Sequence, residues 1–411
     1  MQPTVALARV ENDAIDAAVR KAVELAGGLS QLVGSSSRVL VKPNLWSPQR
    51  SGTGSITDAR VTEAVTRLVL DYGPSRVVIG EGCGAGYDTR GWSTEEAFRT
   101  SGTRDVALRL GVELRNLNTD QFEEVAIDAP LVMDRVRIAR TALESDVIIS
   151  VPVLKSHIRT HVTLSLKNMK GVIPGAEKRK THRLGLDEAI VDLNSLVRPN
   201  FVVLDAIVGM QGLWDYPADA IDMGLVVAGS DPLAVDCVGA RLMGVEPQQV
   251  MHLKYMAQRE GASLDIGALR VVGESIDTHS RRFTTGFDVF AERFPQVTIL
   301  QGQSACTGCT SELVTALTYL EKAGYSPELG GLHVVIGNAA SAPSVPRLAV
   351  LGKCALEHAG LGTYAAGCPP REEQVVEALC QACGVDAEGV LKVRDTARQR
   401  LWRESDASLD S

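Results

Sequence analysis

The feature that most constrains the fold is a series of uninterrupted apolar runs separated by amphipathic stretches. Between two of the runs, apolar residues recur at helical spacing from Val61 to Tyr72. Strands that are apolar on both faces are typical of a parallel sheet covered by helices on both sides. The first 290 residues therefore predict an α/β domain with a mainly parallel sheet flanked by helices. The predicted strands are 38–42, 76–80, 145–152 and 201–205.

A second block begins near Gln296 and predicts a smaller α/β module. Its predicted strands are 297–300, 332–336 and 348–351, and its predicted helices are 311–322 and 372–382. We therefore expect an α/β domain that binds an anionic substrate over 1–290, a C-terminal module over 291–403 and a polar tail over 404–411.

Composition excludes several classes of protein. Apolar residues make up 45% and charged residues 22% of the 411, which excludes wholesale disorder. Aromatic residues make up only 4% and the net charge is −8, so a nucleic-acid-binding surface is not expected. The longest apolar runs, such as 147–153, are far shorter than the roughly 20 residues of a membrane-spanning helix. The N-terminus lacks the basic start and apolar core of a signal peptide, so we expect a cytoplasmic protein.

The cysteines are concentrated in the C-terminal module. Six of the eight lie between Cys306 and Cys383. A cytoplasmic protein is not expected to keep structural disulfides, so this clustering indicates metal or redox chemistry. A C-x2-C pair at Cys306 and Cys309 is followed by single cysteines, each near a glycine, at Cys354 and Cys368. Four thiolates can hold a cubane iron–sulfur cluster.

These segments resemble the proximal-cluster motif of nickel–iron hydrogenase small subunits and related complex-I subunits. The resemblance is carried by Cys306-Thr307-Gly308-Cys309, Gly352-Lys353-Cys354 and Gly367-Cys368-Pro369-Pro370. It implies one 4Fe–4S cluster that passes single electrons to or from a neighbouring active site. A structural zinc site and unligated core cysteines are the alternatives, although zinc ribbons normally use two C-x2-C pairs. The implied cluster ligands are Cys306, Cys309, Cys354 and Cys368.

The other cysteines allow several interpretations. Cys380 and Cys383 can form a dithiol, provide a second metal half-site or pack in the core one helical turn apart. Cys83 lies in a glycine-rich turn near the expected ligand site, so it is a candidate reactive thiol. Cys237 lies in an apolar helical pattern and is expected to be buried.

A basic segment from Lys155 to Arg183 interrupts this acidic chain. It holds eight Lys or Arg residues against Glu177 alone, a local balance of +7, and three of the seven histidines. It follows the strand predicted at 145–152, and ligands of α/β sheets bind beyond the carboxyl ends of the strands. The segment therefore predicts a binding site for an anion such as a phosphate or carboxylate. An exposed RNA-binding patch and a solvated loop are the alternatives.

The larger domain resembles the family of the domain of unknown function 362. The motifs are VKPN at 41–44, PVLKSH at 152–157, TLSLKNMKG at 163–171, DAIVGM at 205–210 and SDPLAVD at 230–236. The resemblance covers roughly residues 36–262. It implies association with iron–sulfur modules and no established general reaction. Many members carry a ferredoxin-type module, whereas this chain has the hydrogenase-like cysteine spacing.

Side chains in these motifs are the candidate site residues. Lys155 and His157 are the candidate catalytic groups, because an imidazole among lysines is readily tuned as a proton donor or acceptor. Asp205 and Asp231 are candidate partners for a lysine or a metal, although Asp231 before a proline is also typical of a helix cap. His161 is interpreted as a surface residue. Ammonium and amide groups that bind and orient an anion are expected at Lys42, Asn44, Lys167, Asn168 and Lys170.

The sequence thus predicts an iron–sulfur oxidoreductase that delivers single electrons from one 4Fe–4S cluster to an anionic substrate or cofactor. No P-loop, G-x-S-x-G or H-E-x-x-H motif occurs, and the turn at 82–86 does not complete G-x-G-x-x-G. Ferredoxin or a redox partner subunit is the expected electron source. No nucleic-acid or membrane partner is expected, and a homo-oligomer is compatible with the sequence. A non-catalytic electron-transfer subunit and a cofactor or metallocluster maturation factor are the alternatives.

Overall fold

The computed structural model describes residues 2–84, 93–214, 217–302 and 304–396, which form two compact units. The first unit contains the residues up to 156 together with 162–247 and 252–283. The second contains the residues from 284 onward together with two short segments, 157–161 and 248–251. The two units therefore share the chain between 157 and 283 and do not follow one another at a single boundary.

Parallel pairing dominates the large sheet of the first unit. Its strand order is β12-β1-β11-β10-β7-β2-β3-β4, with β8 beside β10 and β9 beside β8, while β5 and β6 form a separate antiparallel pair. Only β11 runs antiparallel within the main order, against β1 and β10. The strands are β1 (Thr4–Arg9), β2 (Arg38–Pro43), β3 (Arg76–Glu81), β4 (Glu113–Asn116), β5 (Phe122–Ala126), β6 (Arg135–Ala139), β7 (Val147–Val151), β8 (Val153–His157), β9 (His161–Thr163), β10 (Phe201–Met210), β11 (Ala220–Gly229) and β12 (Arg270–Gly273).

Helices cover both faces of this sheet, as the apolar runs predict. Val39 and Val41 of β2 pack in one core with Val65, whereas Leu40 between them packs in a second core with Met169. The Asp58 side chain accepts a hydrogen bond from the Arg60 backbone and starts the helix that contains Val65. The helices are α1 (Ile15–Leu25), α2 (Ala59–Leu70), α3 (Thr94–Ser101), α4 (Thr103–Leu110), α5 (Arg140–Leu143), α6 (Ser165–Asn168), α7 (Gly175–Leu184), α8 (Leu186–Asn194), α9 (Pro232–Leu242), α10 (Met251–Glu260) and α11 (Ile276–His279). Short 3-10 helices lie at Met169–Val172, Pro247–Gln249 and Ile266–Ala268.

The second unit is a smaller parallel α/β structure. Its sheet has the order β13-β14-β15-β16, and all three pairings are parallel. Leu313 and Leu317 pack with Val334 and Leu379 in the core of this unit. The strands are β13 (Val297–Gln301), β14 (Leu332–Ile336), β15 (Leu348–Leu351) and β16 (Thr363–Ala365), and the helices are α12 (Gly286–Ala291), α13 (Thr307–Lys322) and α14 (Glu372–Cys383). Two 3-10 helices lie at Pro327–Leu329 and Lys353–Leu361.

The structure confirms the predicted fold class of a mainly parallel sheet flanked by helices plus a smaller α/β module. The four strands predicted in the first unit are β2, β3, β7 and β10, and those predicted in the second are β13, β14 and β15. Among the described residues, no helix has the length and hydropathy needed to cross a bilayer.

Candidate functional site

Four polar residues of the first unit form one buried network, here called the lysine–asparagine cluster: Lys42, Asn44, Lys155 and Asn168. Lys42 and Asn44 lie at the carboxyl end of β2, Lys155 in β8 and Asn168 at the end of α6. Asn168 Oδ1 accepts hydrogen bonds from Lys42 Nζ and Asn44 Nδ2, both at 3.1 Å. Asn44 Oδ1 accepts a third from Lys155 Nζ at 3.0 Å. The structure therefore brings four of the expected site residues together.

Glu81, the last residue of β3, is the buried counter-charge of Lys42. Lys42 Nζ donates to Glu81 Oε2, and their side chains are only 0% and 4% exposed. Burial lowers the pKa of Lys42 and raises the pKa of Glu81, while the ion pair between them opposes both shifts. Because β2 and β3 are parallel neighbours, their last residues lie at the same edge of the sheet. Lys42 is thus neutralised within the protein.

Lys155 has neutral partners instead. Its Nζ donates to Asn44 Oδ1 and, at 2.8 Å, to the Ser55 carbonyl oxygen. The same Nζ lies 5.3 Å from the ring centre of Trp46 and 5.1 Å from that of Trp214. The two indole rings are 4.9 Å apart, centre to centre. No carboxylate of the described residues lies within ion-pair distance of this amine.

The pKa values of two lysines are coupled at this site. Burial lowers the pKa of Lys155 well below its usual value, and the charge of Lys167 lowers it further, whereas Glu81 raises it. Burial also lowers the pKa of Lys167, to about 8, against the opposing effect of Asp187. Lys167 Nζ donates to Thr163 Oγ1 at 3.4 Å. Lys167 and Lys155 therefore repel each other as ammonium groups.

Lys178 and Lys170 of the basic segment lie near the lysine–asparagine cluster. Lys178 is 2% exposed and lowers the pKa of Glu81. Lys170 Nζ donates to the Lys178 carbonyl oxygen at 3.4 Å. The alternatives of an exposed basic patch and of a solvated loop are wrong for Lys155 and Lys178, since both are buried. Lys178 Nζ donates to Gly82 O, Cys83 O and Asn118 Oδ1 at 3.0, 2.9 and 2.7 Å.

Asp236 in α9 holds the segment that carries Lys167 and Asn168. Its carboxylate accepts hydrogen bonds from the backbone N–H groups of Ser165 at 2.7 Å and Leu166 at 2.9 Å. These two residues begin α6. Burial raises the pKa of Asp236 to about 7, and the two hydrogen bonds oppose this shift. Asp236 is thus a positioning residue for the cluster.

The other two candidate carboxylates also bind backbone. Asp205 accepts hydrogen bonds from the N–H groups of Asp58 at 2.8 Å and Ile207 at 3.1 Å. The Asp231 side chain accepts from the N–H groups of positions 233 and 234 and caps α9. The helix-cap interpretation of Asp231 is therefore confirmed. The expectation that Asp205 holds a lysine is wrong for the described residues, because its partners are backbone amides.

His157 and His161 belong to the second unit. His157 Nδ1 accepts hydrogen bonds from the backbone N–H groups of Arg159 at 3.1 Å and Thr160 at 3.2 Å. Nδ1 is therefore a hydrogen-bond acceptor in this structure. The interpretation of His161 as a surface residue is wrong: it is 8% exposed, has a φ of 55° and lies 3.4 Å from Thr310 Oγ1 through Nε2.

The four motif cysteines lie where strands of the second sheet end. Cys306 and Cys309 lie at the start of α13, which follows β13. Cys354 follows β15, and Cys368 follows β16. The carboxyl ends of parallel strands share one edge of a sheet, so this topology brings distant cysteines together.

Contacts within the second unit show that these cysteines are neighbours. Cys309 Sγ lies 3.9 Å from the Leu351 carbonyl oxygen, and a Cβ at Gly352 would lie 2.6 Å from the same sulfur. A Cβ at Gly308 would lie 2.9 Å from Pro369 Cβ, next to Cys368. Because these two glycines have no side chain, Cys309 Sγ can lie close to Gly352 and Pro369 can lie close to Gly308.

The four thiols also act on one another electrostatically. A hydrogen bond with Cys306 raises the pKa of Cys309, burial raises it further, and the charges of Cys354 and Cys368 add to the effect. Four cysteine sulfurs are the donor set that a 4Fe–4S cluster uses. No group of three or more His, Cys, Asp or Glu side chains among the described residues is already arranged to hold a metal ion. The cluster therefore stays a prediction.

The remaining cysteines are packed in cores. Cys380 and Cys383 are buried with the apolar residues of the second unit, so the packing interpretation is confirmed for both. Cys237 is buried as expected. Cys83 is fully buried and burial raises its pKa to about 11, which opposes the reactivity expected from its turn. Residues 85–92 of that turn lie outside the described residues.

Sequence reasoning missed five residues of this site: Glu81, Lys178, Trp46, Trp214 and Asp236. Glu81 could have been predicted from the sequence, because it is the last residue of a buried strand that is the parallel neighbour of β2. Asp236 lies within one of the family motifs. The two tryptophans could not have been predicted as site residues, because a single tryptophan in a sequence is more typical of a hydrophobic core.

Comparison with known proteins supports part of the expected resemblance. Residues 39–241 match the family described as "Domain of unknown function (DUF362)". A thylakoid-associated protein of Synechocystis sp. is 28% identical over 240 residues, which cover 57% of this chain and 71% of that protein. The DUF362 resemblance is thus confirmed for the larger domain. These matches do not test the resemblance of the cysteine module to hydrogenase subunits, which stays a prediction.

One solved structure shares a distant similarity. The lactate racemase apoprotein of Thermoanaerobacterium thermosaccharolyticum is 12% identical, with a TM-score of 0.38 over 82% of this chain and 69% of that chain. A similarity this low carries no argument about function.

Proposed function

We propose that this chain is an iron–sulfur oxidoreductase that binds one 4Fe–4S cluster at Cys306, Cys309, Cys354 and Cys368. The observation that supports the proposal most is that all four cysteines follow parallel strands that end at one edge of the second sheet. Cys309 Sγ also lies close to Gly352, two residues before Cys354. A bound cluster would supply single electrons for reduction.

The proposed substrate is an anion bound at the lysine–asparagine cluster. Lys155 is buried and its amine has only neutral oxygen partners among the described residues, so an anion would supply the missing counter-charge. Lys167 would add a second positive charge nearby. His157 Nε2 is the proposed proton donor or acceptor. The proposal includes a cytoplasmic location, with ferredoxin or a redox partner subunit as the electron source.

Metal analysis of the anaerobically purified protein tests the cluster. We expect a brown protein with about four irons per chain, as one cubane requires, and a paramagnetic signal after reduction with dithionite. Cys354→Ser should lower the iron content, whereas Cys380→Ser, at a buried cysteine outside the motif, should not. A colourless protein that holds one zinc per chain would refute the proposal.

Calorimetric titration with sulfate tests the anion site. Wild-type protein should bind sulfate, and Lys155→Met should weaken binding at least tenfold because it removes the uncompensated amine. Lys21→Met, at an exposed lysine of α1 in the same unit, is the matched control and should bind like wild type. Equal affinities of all three proteins would contradict the proposed site.

A non-catalytic electron-transfer subunit is the second candidate function. The exposure of Cys354 and Cys368 favours it, because a cluster with solvent-facing ligands is open to a protein partner. Co-purification with a larger redox protein, without turnover of any small anion, would favour this candidate over the first.

A further inference from the structure

We propose that Trp214 is the gating residue of the lysine–asparagine cluster: its indole ring closes over Lys155 in this structure and moves aside when an anion binds. The inference rests on the proposed anion site and adds the step by which an anion enters it. It does not depend on the iron–sulfur cluster. Sulfate binding and the movement of the indole are measured separately, so failure of the gate is distinguishable from failure of the anion site.

The side chain of Lys155 is closed off from solvent. It is 2% exposed, and its Nζ lies 5.1 Å from the ring centre of Trp214 and 5.3 Å from that of Trp46. The two rings also contact each other, with centres 4.9 Å apart. The ring faces and the two oxygen acceptors of Nζ stabilise an ammonium ion. An anion therefore reaches this charge only after part of the enclosure has moved.

Trp46 is anchored in the fold. It comes directly after Leu45, and its ring packs against the apolar cluster that contains Leu45 and Ile56. Its Nε1 donates to the carbonyl oxygen and to the Oγ of Ser55, both at 3.1 Å. The same carbonyl oxygen accepts the hydrogen bond from Lys155. Movement of Trp46 would thus break core packing as well as hydrogen bonds.

Trp214 lies instead in the connection between β10 and β11, and its backbone is strained. Its φ is 71°, a left-handed conformation that is a genuine outlier for a bulky side chain. Strain of this kind persists only where surrounding contacts hold it, and it is concentrated at ligand clamps and switch regions. The preceding residue, Leu213, is 45% exposed, so this part of the connection lies at the surface. Movement of Trp214 would therefore relieve strain at the surface of the unit.

Polar and aromatic contacts hold the Trp214 ring over Lys155 against this strain. The Nε1 of Trp214 donates to the Ser156 carbonyl oxygen at 2.9 Å, and its ring faces Lys155. Ser156 Oγ donates in turn to the Gly212 carbonyl oxygen at 2.9 Å, two residues before Trp214. An anion at Lys155 would take the place of the indole as a partner of the ammonium group. Anion binding thus removes a contact that keeps the ring closed, and the strain then favours the open position.

Acrylamide quenching of tryptophan fluorescence in the full chain tests the movement. In wild-type protein, quenching should increase when sulfate is added to saturation, because the Trp214 ring leaves its contacts with Lys155. Trp214→Phe should lack this increase, which assigns the signal to one of the four tryptophans of the chain. The same variant controls for any effect of ionic strength on the other tryptophans.

Calorimetric titration of variants with sulfate tests the direction of the effect. Trp214→Gly removes the ring and tolerates a positive φ, so it should bind sulfate roughly fivefold more tightly than wild type, because the closed state no longer competes. Ser156→Ala removes the hydroxyl bond to Gly212 and should shift the affinity in the same direction while it keeps the ring. Leu213→Ala, at the exposed neighbour in the same connection, is the matched control and should bind like wild type.

Each outcome decides between the gate and the anion site. Unchanged quenching in wild-type protein that binds sulfate would overturn the gate and leave the anion site standing. Weaker or unchanged sulfate binding by Trp214→Gly would also overturn it, and Ser156→Ala decides by the same criterion if Trp214→Gly fails to fold. Sulfate binding by Trp214→Gly but not by wild type would support the gate. If neither protein binds sulfate, the proposed anion site is refuted and the inference with it.

Discussion

The roles of the buried lysines are decided by the oxygen atoms that each of them meets. Lys42 meets the carboxylate of Glu81, whereas Lys155 meets an amide and a carbonyl oxygen. A buried ion pair is strongly destabilised when only one partner is removed, because the other charge stays desolvated. The same side-chain chemistry therefore gives an ion pair at one position and an amine with neutral oxygen partners at the other.

Glu81→Gln should lower the free energy of unfolding by about 3–5 kcal/mol, because it leaves Lys42 charged and unpaired in the core. Urea denaturation at neutral pH measures the loss. Glu321→Gln is the control: it breaks the exposed pair with Arg293 and should cost at most about 1 kcal/mol. Equal losses in the two variants would contradict the assigned role of Glu81.

Sulfate affinity should fall as the pH rises above 8. The pKa of Lys167 is about 8 in the free protein, so its ammonium group is lost above that pH, while Lys155, whose pKa is also lowered, is a second source of pH dependence. Above it, binding must first take up a proton, which weakens affinity by up to about tenfold per pH unit. Calorimetry between pH 6 and 10 measures the profile, since sulfate does not titrate there. A Lys167→Met variant that keeps the wild-type profile would rule out this lysine as its source.

At the scale of elements, the apolar runs predicted β2, β3, β7 and β10 because each is buried on both faces. The carboxyl ends of parallel strands share one edge of a sheet, so residues that follow these strands were expected to meet, as Asn44 does with Lys155. Strand β11 was not predicted; it pairs antiparallel with its chain neighbour β10 and with β1, and only the pairing with β1 joins parts of the chain that are far apart in sequence. Local patterns predict strands, but long-range pairing decides their order.

Asp236→Ala should destabilise the protein by about 2–4 kcal/mol, because two backbone N–H groups at the start of α6 lose a buried acceptor. It should also weaken sulfate binding, since α6 carries Lys167 and Asn168. Asp231→Ala removes an N-cap from α9 and should cost only about 1 kcal/mol. Urea denaturation and calorimetry separate the two effects. Unchanged sulfate affinity in folded Asp236→Ala would show that α6 keeps its position without this carboxylate.

Gly352→Ala should reduce the iron content of the second unit. The position has a φ of 86°, and a Cβ there would lie 2.6 Å from Cys309 Sγ, so the sulfur must move. Gly384→Ala is a control for a positive φ without a close contact: its φ of 71° and ψ of 32° lie in the left-handed helical region, which strains alanine less, and its Cβ would meet nothing within 4 Å. Both variants should lose about 1–3 kcal/mol of stability, but only Gly352→Ala should lose iron. Equal iron contents would show that the close approach at Gly352 is not needed.

At the scale of the whole molecule, the sequence predicted two α/β parts but not how the chain is shared between them. Segments 157–161 and 248–251 group with the second unit although both lie within the sequence of the first. Each segment is too short to carry a pattern of its own, and its contacts are single hydrogen bonds to threonine hydroxyls that no periodicity reveals. Met251 N–H donates to Thr307 Oγ1 at 2.9 Å, and Arg159 donates to Thr315 Oγ1. Both acceptors lie on α13, the helix that begins at the cysteine pair.

The second unit should therefore be less stable when it is cut out of the chain at position 284, because α13 loses these partners. A fragment of residues 248–411 should be more stable than one of residues 252–411 by about 1 kcal/mol, since only the longer fragment keeps the hydrogen bond between Met251 and Thr307. Hydrogen exchange of the α13 amides, followed by mass spectrometry, measures the difference as roughly fivefold slower exchange in the longer fragment. The two fragments differ by only four residues, so composition and length are matched. Thr307→Val in the longer fragment should remove the advantage, and identical exchange in all three would show that the segment contributes nothing to the cysteine-bearing helix.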